Sequence, residues 1–155
     1  MVTGKELLVR INSIGFKIMD GIVRGKPVVL FDGYCNLCCG FTSFVLTHDP
    51  SARILFAPLQ GDTANSILHA MGYISPPADS VILVQDGAVF IRSTAVLRVF
   101  RLLGPPWSWL YPLVCILRPI RDFFYWSVAR SRYSIFGRRK ECRAPGSDER
   151  GRMLP

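Results

Sequence analysis

The chain has 155 residues, 50% hydrophobic and 19% charged; this excludes wholesale disorder and supplies the core of one domain without disulfide staples. Its five cysteines are an odd number, with Cys35, Cys38 and Cys39 crowded together, which excludes a secreted disulfide framework and points to a reducing intracellular compartment, cytoplasm or organelle (mitochondrion or plastid). The formal charge of +8 is lopsided: residues 1–90 hold 6 Lys/Arg against 7 Asp/Glu, and residues 91–155 hold 13 against 4. Such a basic half suits an acidic partner, anionic lipid head groups or nucleic acid, and equally a solvated basic face.

In chain order, Leu7, Leu8, Ile11, Ile14, Ile18 and Ile22 recur at helical spacing and predict an N-terminal amphipathic helix or extension over 1–26. Scattered charges leave it without the apolar stretch of a signal peptide. The β-branched run 27–31 reads as a buried strand, broken by Asp32-Gly33. A helix follows over 38–47, ended by His48-Asp49-Pro50. A second strand spans 53–57. Gly61-Asp62-Thr63 starts a helix to about Met71, with Gly72 as its stop.

After a loop over 75–79, apolar runs 80–84 and 88–91 flank Asp86-Gly87, a strong hairpin signal. Ser93-Thr94 is expected to cap a helix reaching Leu103 and burying Val96, Leu97, Val99, Phe100 and Leu103. Gly104-Pro-Pro106 stops it. Two more helices are expected, a buried or interfacial one over 109–117 and another over 120–130, then a basic turn over 136–140. The apolar run 105–117 falls short of the roughly 20 residues of a spanning helix. The organisation is therefore an N-terminal extension (1–26), an α/β core ordered β-α-β-α-β-β-α around a four-stranded mixed sheet (27–104), a helical, basic C-terminal extension of the same domain (105–143), and a polar, flexible tail (144–155).

The chemistry gathers where the first strand meets the first helix, in Phe31-Asp-Gly-Tyr-Cys-Asn-Leu-Cys-Cys39. A helix N-terminus carries unpaired N–H groups and partial positive charge, which favour thiolate over thiol. Cys35 is placed there as the attacking sulfur, with Cys38 one turn on to resolve a mixed disulfide. Asp32 would raise a neighbouring thiol by repulsion and could relay its proton; as half of an Asp-Gly pair it is equally a turn former. Zinc sites use the same Cys-x-x-Cys spacing, but Cys39, His48, His69, Cys115 and Cys142 offer no second close pair. A purely structural pair of buried thiols is the other alternative. Cys39 is assigned to the core and Cys115 to an inert apolar stretch. Cys142 follows the basic Arg138, Arg139 and Lys140, and reads as an auxiliary thiol or an idle surface one.

The segment from Phe31 to Cys38 resembles the Asp-x-x-Cys-x-x-Cys signature of the DCC family, described as predicted thiol–disulfide oxidoreductases. Ser93-Thr-Ala-Val-Leu97, Pro119-Ile-Arg-Asp122, Tyr125, Arg132-Tyr-Ser-Ile-Phe-Gly137 and Cys142 resemble it too. The resemblance implies a thioredoxin-like fold with Asp32, Cys35 and Cys38 at the matching positions. It departs from ordinary thioredoxins, which carry a cis-proline just before the third strand; here Ser80 or Asp79 stands there, with Pro76 and Pro77 too early. This argues against carrying over a thioredoxin-style peptide groove.

Two functions follow. The first is a thiol–disulfide oxidoreductase acting on a protein or small thiol or disulfide, with no cofactor beyond its redox-active cysteine pair. The second is a non-catalytic thioredoxin-like subunit. It would dock on an organellar ribonucleoprotein or membrane complex through its basic C-terminal half, with Arg138, Arg139 and Lys140 as contacts. Fold alone does not choose between them.

Overall fold

The computed structural model describes residues 26–73, 80–138, 140, 146 and 149–154. The expected N-terminal helix (but for Lys26), the loop 75–79, Arg139 and Cys142 lie outside the described residues.

Strand β1 (Val28–Phe31) is buried along its whole length. It pairs in parallel with β2 (Leu55–Pro58) and antiparallel with β3 (Ile82–Gln85), which pairs antiparallel with β4 (Ala88–Ile91), giving the order β2-β1-β3-β4. Parallel neighbours need a crossover, supplied by helix α1 (Asn36–His48). Asp86 and Gly87 turn the β3–β4 hairpin at φ 51° and 72°, the left-handed region such a turn requires.

Because side chains alternate along a strand, β1 and β3 feed two cores. Val29, Phe31 and Leu83 pack with α1 and with α3 (Arg92–Leu103) on one face. Val28, Leu30, Ile82 and Val84 pack with α2 (Asp62–Ala70) on the other. Helices on both faces of a four-stranded mixed sheet in this order make the fold thioredoxin-like, as the sequence predicts.

Four local expectations are corrected. Ser93-Thr94 does not cap α3: the helix begins at Arg92 after Ile91, and the Ser93 hydroxyl donates instead to Asp122. The apolar helix expected at 109–117 is a 3-10 helix over Trp107–Cys115 with no buried residue; Trp109 is 75% exposed and Cys115 is exposed. Pro112 within it lacks the N–H that an α-helix needs. The next helix, α4 (Arg118–Phe136), outruns the expected 120–130, since no glycine or internal proline interrupts it before Gly137. Residues 149–154 are not a loose tail. Phe56 N–H donates to the Arg152 carbonyl at 2.8 Å, Leu154 N–H donates to the Phe56 carbonyl at 2.7 Å, and the Arg152 guanidinium meets buried Asp49 at 2.6 Å. Among the described residues no helix is long and apolar enough to cross a membrane.

Candidate functional site

β1 ends in the middle of the sheet and delivers its next residue, Asp32, to the start of α1. That helix begins at Asn36, two residues earlier than the sequence suggests, so Cys35 is its N-cap. The Cys38 N–H donates to Cys35 Sγ at 3.4 Å, a thiol doing what a Ser or Asp oxygen does at other helix starts. Cys38 is in the same first turn, so the two sulfurs sit on one face. Cys35 is fully buried and Cys38 6% exposed. Burial pushes the Cys38 thiol well up from its ordinary value; its hydrogen bond to Cys35 and the Cys35 charge add to this, and Arg132 opposes it. Cys39 is buried, its thiol donating to the Gly33 carbonyl at 3.3 Å, which fits a core role.

Asp32 is 4% exposed, and buried carboxylates require partners. Oδ1 accepts the Tyr34 N–H at 3.0 Å and the Gln60 amide at 2.9 Å. Oδ2 accepts the Arg132 guanidinium at 3.2 Å and the Tyr133 hydroxyl. The Tyr133 phenol is raised by burial and by its bond to Asp32. Burial pulls Arg132 down, but its bond to Tyr133 and the nearby Cys38 and Cys35 more than offset that.

The end of α4 closes over the cysteine turn. Asn36 Nδ2 donates to the Phe136 carbonyl at 2.8 Å, and the backbone of Arg138 makes an antiparallel bridge with Cys35. Gly137, at φ 78°, makes this approach: a Cβ there would lie 3.3 Å from Asn36 Nδ2. The Arg138 guanidinium lies 5.7 Å from the Tyr34 ring centre and 5.6 Å from that of Tyr133.

On the opposite side a cavity of about 460 Å³ opens between α1, α3, the 3-10 helix and α4, with Cys38 in its wall. Its lining is almost wholly apolar, with Phe41, Leu97, Phe124 and Val128 prominent. Tyr125 also lines it; its hydroxyl accepts the Val81 N–H at 2.9 Å, and burial raises its phenol.

The structure thus brings Asp32, Cys35 and Cys38 together and sets Arg138 against Cys35. Lys140 is exposed. Among the described residues no three His, Cys, Asp or Glu side chains gather as a metal site. Sequence reasoning does not single out Gln60, Tyr125, Arg132 or Tyr133 as site residues. Arg132 stands 100 positions from Asp32, and no local pattern announces the pairing. The available signal is that Tyr125, Arg132 and Tyr133 all fall in stretches that carry the family resemblance.

The family model of DCC1-like thiol-disulfide oxidoreductases matches residues 29–138, an interval from β1 to the residue bridged to Cys35. The uncharacterized protein YuxK of Bacillus subtilis (strain 168) is 39% identical over 128 residues, covering 83% of this chain and 93% of that one. A DCC family protein of Arabidopsis thaliana, named chloroplastic, is 37% identical over 118 residues, covering 76% of this chain and 69% of its own length. No solved structure gives a significant match.

Proposed function

The chain belongs to the DCC1-like thiol-disulfide oxidoreductase family, and from that premise we propose that Cys35 and Cys38 are its reversible dithiol–disulfide pair, with Asp32 as the proton-handling group beside them. The observation that carries this is the helix N-cap: Cys35 Sγ receives the Cys38 N–H at 3.4 Å while Asp32 sits buried three residues upstream. When the disulfide opens, negative charge on Cys35 is met by that amide and by the helix end. When it closes, the Cys35 thiolate is one of the two sulfurs that join. Cys38 carries its proton as a thiol, and Asp32, held by Arg132 and Tyr133, is the adjacent acceptor through which that proton leaves. No cofactor beyond the cysteine pair enters the cycle. The relative named chloroplastic supports an organelle among the reducing compartments.

Mass spectrometry after equilibration in graded redox buffers tests the pair. One bridge, Cys35–Cys38, should form and vanish in Cys35→Ser and Cys38→Ser. A pair that never bridges at any potential would overturn the reading.

The docking reading is favoured by one surface: Trp109, Phe123 and Phe124 are 75%, 63% and 66% exposed on the C-terminal half that carries the basic excess. If docking is the function, Cys35→Ser leaves it intact, and neutralising Arg138, Arg139 and Lys140 abolishes assembly.

A further inference from the structure

The two sulfurs differ in what they face. Cys35 is fully enclosed, with the Arg138 backbone bridged across it. On the Asp32 side, Gln60, Arg132 and Tyr133 close the turn. Cys38 alone of the pair lines the cavity, so a molecule that reaches the pair through open space meets Cys38 first.

The cavity wall restricts what that molecule can be. Its volume of about 460 Å³ lies in the range of roughly 300–1,000 Å³ typical of small-molecule sites. Its polar groups are already committed. The Ser93 hydroxyl goes to Asp122, the Val81 N–H to the Tyr125 hydroxyl, and Arg132 to Asp32. Arg121 keeps a spare donor: its Nε donates to the Ile116 carbonyl, while its Nη1 is buried with no hydrogen-bond partner among the described residues. An extended peptide would bring several main-chain groups into a wall with almost nothing to pair them, each at a cost. A small molecule with an apolar body and at most one acceptor group meets no such penalty.

We infer that this cavity admits a small apolar thiol, and that Cys38, rather than Cys35, carries the mixed disulfide with it. This rests on the dithiol–disulfide reading of the pair, and it reverses the division of labour expected from the sequence. In the oxidised protein the incoming thiolate attacks Cys38 Sγ. The Cys35–Cys38 bond breaks, its electron pair leaves on Cys35, and the Cys38 N–H stands ready for that charge. A second thiol attacks the substrate sulfur of the mixed disulfide and releases Cys38. Two thiols lose two electrons and two protons to become one disulfide, and the protein disulfide gains both as two cysteine thiols. A dithiol would supply both sulfurs from one molecule.

The test uses the full chain carrying Cys115→Ser and Cys142→Ser, oxidised between Cys35 and Cys38 with the buried Cys39 left as a thiol. Its reduction by benzyl mercaptan is compared with reduction by glutathione, each rate normalised to that on cystamine, an open disulfide. Burial of the ring should favour benzyl mercaptan by about tenfold or more. Val128→Trp and Leu113→Trp, both at half-exposed lining positions, should each remove the preference. With Cys35→Ser, an activated benzyl disulfide should label Cys38; with Cys38→Ser, Cys35 should stay unlabelled. Equal normalised rates, a preference that survives both tryptophans, or labelling at Cys35 would overturn the inference. The redox titration without small thiols reports separately on the pair, so a pair that bridges normally while the preference is absent condemns the cavity assignment alone.

Discussion

On one side of the cysteine turn, every oxygen of Asp32 is occupied, by Tyr34 and Gln60 on Oδ1 and by Arg132 and Tyr133 on Oδ2. On the other, Cys38 faces a wall of Phe41, Leu97 and Phe124. The first side draws its partners from the turn after β1, the loop after β2, and the last helix, and joins them through a buried charge. The second is made by helices that lean together without filling the space between them. A buried ion pair earns little over an apolar substitute, but breaking one is costly, so the polar side works as a lock. Its partner side is where the molecule can change occupancy without unfolding.

The largest expected effect breaks the lock. Arg132→Ala leaves Asp32 buried without its cation, and should cost about 3–5 kcal/mol in denaturant unfolding. Adding Asp32→Asn should recover part of that loss. A cost of the size seen at ordinary surface positions would mean that the pair holds nothing together. Next comes Tyr125→Phe on the cavity side. It strips the Val81 N–H of its acceptor and should destabilise by about 1–3 kcal/mol; a neutral outcome would show that the cavity wall supplies another partner.

The smallest effect is a slope with pH. The Cys38 thiol is raised above its ordinary 9.0 in the folded protein. Above that pH the unfolded chain releases a proton that the folded chain keeps. Stability from this group is therefore intact below pH 9 and falls as pH rises, by at most about 1.4 kcal/mol per unit. Tyr125 and Tyr133, also raised, add to the fall from about pH 10 upward. The part that begins near pH 9 should disappear in Cys38→Ser and in the oxidised protein, which calorimetry across pH 7 to 11 would register.

What was legible in the sequence was local. β1 is legible because Val28, Val29, Leu30 and Phe31 are apolar and bulky in a row, and the hairpin because Asp86-Gly87 names its own turn. The cysteine turn is legible because strand, break and helix follow within ten residues. The partners of Asp32 are not, because Arg132 and Tyr133 arrive only once α4 has packed across the sheet end. Charge was similarly misleading. The C-terminal excess reads as a basic surface, yet Arg132 is buried against Asp32 and Arg152 is largely enclosed against Asp49. Those cations hold the fold and are not offered to an acidic partner. The 3-10 helix escaped because apolar composition does not distinguish a buried helix from one displayed to solvent.

The docking of residues 149–154 along β2 has a consequence for self-association. A bare edge strand is a template on which a second molecule can add its own strand. Here Phe56 already spends its N–H and carbonyl on Arg152 and Leu154, so that border of the sheet is protected. A chain cut before Glu149 would expose both groups of Phe56 beside a buried aromatic ring, and would turn a finished margin into an adhesive one.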